Sequence, residues 1–452
     1  MKHQNEGAYK KTLTSKLRRL WSAALVLSLA VLAAACGNDA GQNAQSQNDR
    51  SGAGNADKTV ELKFLTWGNE AHLDLYKSLL DKFHQTHPNI RVTIDSVPFA
   101  DYQQKISVLA AGRELPDIAW AAERMVPQFM ANGILMDVSD VANDSAFQMD
   151  DFIPSTLDLF RKDGKLYGLP FSTPPSVMFY NQDLFEQAGL ESPNELAKQG
   201  KWTWEEFEKA AKAISSGTGA DRVYGANFFR DWTNWILLSS YSWSNGSGPF
   251  DKEMTKFTWN DEHGVATLKM LQRMMFVDES HPKAGEQISF ESGKIGMFFD
   301  VYSYVSKARA ITDFKWNIAP MPSGKQGAVP MLGQAGYVIF KDTKHPNEAK
   351  ELLKFFASQE GIKATSTFFV PPRLSVLNSD VFLNQPNNPD PEFIRQSVID
   401  EMPKARFQSG HVQWQKIDSE ILAGFDMLFG QIAEPEEVLQ WMEEKVNPLM
   451  QQ

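Results

Sequence analysis

Carboxylates stand side by side at Asp150/Asp151, Glu205/Glu206, Glu436/Glu437 and Glu443/Glu444. Cleaving a glycosidic bond takes two carboxyls that face each other across it, about 5–10 Å apart. Neighbours at the start of a helix point in different directions, and the positive end of the helix dipole favours acids there anyway. These pairs therefore read as helix chemistry. His84 and His87 are three apart but lie at a helix end before Pro88, and read as surface histidines rather than metal ligands. No Gly-x-Ser-x-Gly, His-Glu-x-x-His or phosphate-binding loop occurs. The single cysteine, Cys36, sits far from any of these groups in the chain. No catalytic constellation, metal or cofactor is expected.

The chain is instead rich in flat apolar side chains. Trp, Phe and Tyr make up 12% of it, and twelve residues are Trp. Several have ordinary packing explanations. Trp202 precedes an expected helix cap, Trp204 opens that helix, and Trp441 shares an apolar stripe with Val438. Trp232, Trp235 and Trp243 are three and eight apart, which one helix face explains as well as a ligand platform does. Asp300 reads equally as a strand-end turn, and Arg373, in Pro371-Pro372-Arg373, as a solvated loop. The net charge of −11 argues against a nucleic-acid partner.

The start of the chain reads as an export signal. Lys2, Lys10, Lys11, Lys16, Arg18 and Arg19 form a basic region, and the uncharged, mostly apolar run Leu20–Ala35 follows. A short apolar run of this kind is a secretory signal rather than a membrane span. Leu32-Ala33-Ala34-Ala35-Cys36-Gly37 resembles a lipoprotein box, with Ala33 where Leu is usual. Cleavage before Cys36 followed by acylation is expected, and two or three acyl chains anchor stably. The alternative is plain cleavage that leaves a free thiol. Residues 37–58 contain no Val, Leu, Ile or aromatic residue and read as a flexible tether, with an end-to-end distance of roughly 25 Å.

The body, from residue 59 on, is too long for one ordinary domain and fits two. Thr59–Thr66 alternates like a strand. Glu70–Gln85 carries Leu73, Tyr76, Leu79, Leu80 and Phe83 at helical spacing, with Asn69 as N-cap. A strand over Ile90–Val97, a helix over Tyr102–Ala111 and a strand over Pro116–Trp120 extend the pattern to βαβαβ, the mark of a parallel sheet covered by helices. A helix from Thr203 opens with a capping box to Glu206 and a Trp202/Phe207 staple. Strands are expected near Ser176–Tyr180, Lys294–Phe299 and Gly336–Phe340. The chain from Pro391 on reads as mostly helical. The extended stretches Gly168–Pro175 and Gly327–Gly333 look like crossings between domains, because Pro denies helix. Two discontinuous α/β lobes with a cleft at the crossings follow.

The strings LKFLTWGNEAHLDLYKSLLDKFHQTHPNIRVTI, AAGRELPDIAWAAERMVPQFMANGILMDV, KLYGLPFSTPPSVMFYNQDLFEQAGL, KWTWEEFEKAAKAI, ESGKIGMFFDVYSYV and GYVIFKDTKHPNEAKELLKFFAS resemble, in this order, family-1 extracellular solute-binding proteins of bacterial ABC importers. That group includes maltose-binding protein. The resemblance implies a two-lobed periplasmic-binding-protein clamshell of type II kind. Each lobe would be a mostly parallel sheet wrapped by helices, and the C-terminal part helical. The implied segments are 1–35 as signal peptide, 36–58 as lipidated tether, 59–172 and 330–373 as lobe 1, and 173–329 and 374–452 as lobe 2. It further implies a monomer on the outer face of the bacterial cell membrane, with a carbohydrate ligand and importer membrane subunits as partners.

Carried over, Trp67, Asn69 and Glu70 match the segment after the first strand that faces a sugar. Trp120 matches a cleft aromatic, and Glu123 and Arg124 the polar pair after it. Phe171 and Thr173 match the first crossing, and Gly333 the second. Trp232 and Trp235 fall where lobe 2 supplies stacking aromatics. Asp300 and Tyr302 match a polar-plus-aromatic loop, and Trp414 an aromatic of the C-terminal helices. Arg373 is added as a polar candidate. Some maltose-type members carry a carboxylate where this chain has Pro174, which argues against a maltose-like ligand. The residue types suit a sugar: aromatic rings cover its C–H face, and polar groups pair with its hydroxyl rim, where a buried unpaired group costs about 1–3 kcal/mol.

Overall fold

A computed structural model of the chain describes residues 59–229 and 232–451, and for residues 99, 100 and 232–234 it describes the backbone alone. The expected signal, Cys36 and the tether lie outside the described residues.

The alternation of Val60–Thr66 becomes strand β1, with Leu62 and Phe64 fully buried. Helix α1 (Glu70–Thr86) buries Tyr76, Leu79, Leu80 and Phe83, the offsets that share one face. Asn69 caps it. The Asn69 side chain accepts the His72 N–H at 3.1 Å, and His72 Nδ1 accepts the Asn69 N–H at 3.2 Å. This is a capping box with His where Glu or Gln is usual. Strand β2 (Ile90–Ser96), helix α2 (Phe99–Gly112) and strand β3 (Ile118–Ala122) complete the βαβαβ unit, and β1 pairs in parallel with both β2 and β3.

Strands β4 (Leu169–Ser172) and β5 (Ser176–Asn181) follow. Helix α3 (Trp204–Ile214) starts at Thr203, whose side chain accepts the Glu206 N–H at 3.3 Å. The reciprocal half of the expected capping box is absent, because the Glu206 carboxylate holds Lys209 instead, at 2.5 Å. The staple residues Trp202 and Phe207 are both buried. Next come β6 (Tyr224–Asn227), α4 (Ser239–Ser244), α5 (Glu262–Gln272), β7 (Ile295–Val301), β8 (Trp316–Ala319), β9 (Ala335–Ile339), α6 (Pro346–Ala357), α7 (Trp414–Phe429) and α8 (Pro435–Met450). In β6 a Cβ at Gly225 would stand 1.8 Å from the Ala211 carbonyl oxygen, so only glycine lets α3 lie this close to the sheet.

Two main sheets result, with strand orders β2-β1-β3-β9-β4 and β8-β5-β7-β6. Strand directions are more mixed than the βαβαβ start suggests. In the first sheet β9 runs antiparallel to β3 and β4, and in the second only β6 and β7 are parallel. The reason is connectivity: β9 enters its sheet from the other lobe rather than through a crossover helix. Pro170 is accommodated because β4 is an edge strand.

Each sheet has its own core. One apolar cluster draws only on residues between Leu62 and Phe171 and between Ala335 and Val376. Two others cover the faces of the second sheet and take in the C-terminal helices. The cores are joined by extended chain between Ser172 and Ser176 and between Ala319 and Ala335. These crossings are hydrogen-bonded to each other, with Gly333 N donating to Pro174 O at 2.9 Å and Ser176 N to Met331 O at 2.7 Å. A third segment joins them: Arg406 N donates to Pro330 O at 3.0 Å and Leu332 N to Arg406 O at 2.6 Å. The chain also passes between the cores near Val370–Leu377, where Val376 packs in the first and Val370 and Leu377 in the second.

Candidate functional site

The crossing from Ser172 to Ser176 is short, so it sets the strand ends it joins against each other. In lobe 1 these are the ends at Thr66, Ser96 and Ala122, with the start of β9. In lobe 2 they are the ends at Asn227 and Val301, with the start of β5. Ligands of open α/β sheets bind beyond such strand ends.

Trp67 is half-buried just past β1 and meets Trp120 and Tyr102 edge-on, at 5.0 and 4.9 Å between ring centroids. Asn69 is spent on its cap, and Glu70 is exposed in the first turn of α1. Glu123 N donates to Gln334 O at 3.0 Å, and Glu123 Oε2 accepts Gln334 N–H at 3.1 Å. Burial raises the Glu123 carboxyl above the usual carboxylate range, partly offset by the Arg124 charge. Asp300 is half-buried, and its Oδ1 accepts the N–H of Val301 at 2.8 Å. Trp235 and Trp414 lie nearly parallel, at 16° and 6.2 Å. Both are buried, and Trp235 Nε1 donates to Asp418 Oδ1 at 2.8 Å. Gly333 is held in the paired crossings. The side chain of Trp232 lies outside the described residues.

Several more expected contacts are drawn into the cores, as Trp235 and Trp414 are into that of lobe 2. Trp120 is 1% exposed, because every residue of β3 is buried and its ring is packed among Phe64, Tyr76, Phe171 and Phe369. Phe171 belongs to the same cluster and is equally closed off. Tyr302 packs against Phe382 inside lobe 2. Arg373 is 1% exposed. Its Nε, Nη1 and Nη2 donate to the carbonyls of Ala357, Gln148 and Phe147 at 2.8, 3.0 and 3.0 Å. The guanidinium is sandwiched by Phe152 and Phe147 and pairs with Asp151 at 3.3 Å, so it ties lobe 1 together and has no group left for a ligand. Thr173 is also fully buried, its N–H donating to Val370 O at 3.0 Å.

A cavity of about 1010 Å³ opens beside the crossings. Ser155 and Asp158 line it from lobe 1, and Trp243, Phe250, Arg406 and Phe407 from the other side. None of the residues expected from sequence lines it. It adjoins the Trp235/Trp414 pair through Phe250, whose ring lies 5.9 Å from Trp414 and 6.3 Å from Trp235. Of these residues only Trp243 carried a sequence signal, as one of three spaced tryptophans. Phe407 and Arg406 belong to an irregular segment with no period to read. Two cavity carboxylates are locally satisfied: Asp251 accepts from Thr255 and Lys256, and Asp261 caps α5. The side chains of the cavity residues Arg406 and Lys252 have no hydrogen-bond or ion-pair partner among the described residues. No group of three or more His, Cys, Asp or Glu among the described residues could hold a metal, and no described helix is long and apolar enough to cross a membrane.

Comparison with known proteins agrees with this geometry. A Bacillus subtilis protein named arabinooligosaccharide-binding protein is 28% identical over 340 residues, 72% of this chain and 74% of the relative. A Pectobacterium atrosepticum protein named as an sn-glycerol-3-phosphate-binding periplasmic protein is 25% identical, over 63% of this chain and 66% of its own length. An ABC substrate-binding protein from Listeria monocytogenes, solved in complex with cycloalternan, superimposes with a TM-score of 0.77 at 22% identity, covering 87% of this chain and 99% of that one. The sequence model for bacterial extracellular solute-binding proteins matches residues 69–363. Two lobes with separate cores, paired crossings between them and a match over most of the body lead to one conclusion: this chain belongs to the bacterial extracellular solute-binding protein family.

Proposed function

We propose that the chain captures an oligosaccharide between its lobes and passes it to the membrane subunits of an ABC importer, binding the sugar without turning it over. The observation that carries this reading is the 1010 Å³ cavity at the lobe junction, where the rings of Trp243, Phe250 and Phe407 stand among polar groups. Its volume is at the top of the usual range for small-molecule sites, which favours several sugar units over one. The arabinooligosaccharide-binding name of the relative at 28% identity supports the class. The lobes divide as 59–172 with 330–373, and 173–329 with 374–452. Of the residues expected from sequence, Trp67, Glu70, Glu123, Arg124 and Asp300 are assigned to the edge of the cleft, while Asn69 serves its helix cap and Trp235 and Trp414 serve the lobe 2 core. Closure about the crossings makes contacts that the open form lacks, and only such differential affinity shifts the population toward the closed form.

A second reading, an anionic organophosphate ligand, is favoured by the unpartnered Arg406 and Lys252 and by the glycerol-phosphate-binding relative. A thermal-shift screen separates the two. Arabino- and malto-oligosaccharides should raise the melting temperature, by the equivalent of about 2.7 kcal/mol at a hundredfold excess over Kd, with compaction in X-ray scattering and no product formed. A shift with glycerol 3-phosphate alone supports the second reading, and released reducing ends would overturn binding without turnover.

The same proposal places a monomer on the outer face of the cell membrane, held by acylated Cys36. Cys36→Ala should move the protein from the membrane to the soluble fraction. Unchanged partition between the fractions would remove the lipid anchor from the proposal.

A further inference from the structure

One carboxylate at the lobe junction is left with an open oxygen. Asp418 lies on α7, whose Ile417 and Ile421 pack in the lobe 2 core. Its Oδ1 is taken by the Trp235 indole N–H at 2.8 Å. Its Oδ2 has no hydrogen-bond partner among the described residues and is not sealed from solvent. The Arg124 charge acts on Asp418, and the Arg124 backbone approaches Gly410, four residues before α7. A Cβ at Gly410 would lie 3.0 Å from Arg124 O and 3.1 Å from Arg124 Cα, so the two lobes touch here through a glycine. Burial disfavours the Asp418 anion, a cost with no structural return on the Oδ2 side. Parallel indoles flank the carboxylate on its own lobe, and Phe250 links them to the cavity.

Resting on the carbohydrate reading above, we propose that Asp418 is a specificity-determining contact whose Oδ2 accepts a hydroxyl of the bound sugar. A ring hydroxyl donates to the carboxylate. This arrangement selects a ring by the position of one hydroxyl, because a site built around that group leaves a buried charge unpaired when it is missing.

Calorimetry with arabinotriose and maltotriose, and with singly deoxygenated forms of whichever binds, tests this. Asp418→Asn keeps an oxygen for the Trp235 N–H, so the unliganded melting temperature should hold while affinity falls about 10- to 100-fold, the loss of one hydrogen bond to a charged group. At one hydroxyl position the cost of deoxygenation should vanish in Asp418→Asn, which a purely structural role would not produce. Equal deoxygenation costs in the two proteins, or unchanged affinity in the variant, overturn the proposal while leaving carbohydrate binding intact. The deoxy series on the unmodified protein is a check that needs no variant: a loss below threefold at every position overturns the proposal as well. If neither sugar nor any other saccharide binds the unmodified protein, both the class and this contact fall.

Discussion

Arg373→Ala should lower the unfolding free energy of lobe 1 by about 3–5 kcal/mol, the range for removing one member of a buried charged network. The guanidinium is the hub of a cage that local sequence does not make. It satisfies the carbonyls of Phe147, Gln148 and Ala357, and these stay buried when the donor is gone. Each orphaned acceptor costs about 1–3 kcal/mol. The rings of Phe147 and Phe152, 4.9 and 4.1 Å from the guanidinium carbon, would then border a hole. Asp151 is less critical, because its carboxylate is part-exposed and also holds the N–H and hydroxyl of Ser375. Asp151→Asn should cost roughly 1 kcal/mol, as befits a partly solvated pair. Urea unfolding followed by a lobe 1 probe checks both. A loss below 1 kcal/mol in Arg373→Ala would show that the cage is not what holds Val370–Leu377 to the lobe.

The same residue shows what sequence reading can and cannot reach. Pro371-Pro372-Arg373 looks like a solvated loop because nothing near it in sequence pairs with a cation. Its partner Gln148 is 225 positions away. By contrast β1 and α1 were legible, since their apolar periods of two and near four are written in consecutive residues. The short strand β6 was not, because Tyr-Gly-Ala-Asn carries no alternation, and its glycine serves the approach of α3. Trp120 marks the limit for sites. Its place on the third strand was readable, but β3 is covered on both faces, so alternation could not say which way its ring points. The segments that line the cavity, around Phe250 and from Arg406 to Ser409, are irregular, and their position depends on pairing with the second crossing at Pro330 and Leu332. Asp418 sits in a helix whose pattern is fully explained by its buried face, Trp414, Ile417, Ile421 and Phe425. Only the fold reveals that its carboxylate holds the Trp235 indole N–H.

Stability should fall steeply as pH drops from about 6.5 toward 4, through one histidine at the cleft end of lobe 2. His281 is 1% exposed. Its Nδ1–H donates to the Pro282 carbonyl at 2.7 Å, and its Nε2 accepts the backbone N–H groups of Phe228 at 3.0 Å and Phe229 at 3.2 Å. The ring is therefore needed neutral, in one tautomer. A proton on Nε2 would turn the acceptor toward two donors. Burial holds its pKa at about 4, against 6.5 for a free histidine, although the Pro282 carbonyl pulls the other way. Because the folded pKa lies below the unfolded one, the unfolded chain takes up the proton first. This contribution is complete above pH 6.5, shrinks as pH falls, and is gone below 4. The total is about 3 kcal/mol, of which roughly 2 is lost by pH 5. Carboxylates also titrate toward the lower end, so the measurement must be a difference. His281→Gln can still offer an oxygen to the two N–H groups and has no titrating ring. Its stability deficit relative to the unmodified protein should be largest at pH 7 and should close by about 3 kcal/mol at pH 4. A deficit that stays constant over that interval would mean the imidazole is not held neutral. Phe228 and Phe229 directly follow the end of β6, so protonation would loosen the lobe 2 wall of the cleft before the lobe unfolds. Ligand affinity should then decline over the same pH interval in the unmodified protein and less in His281→Gln.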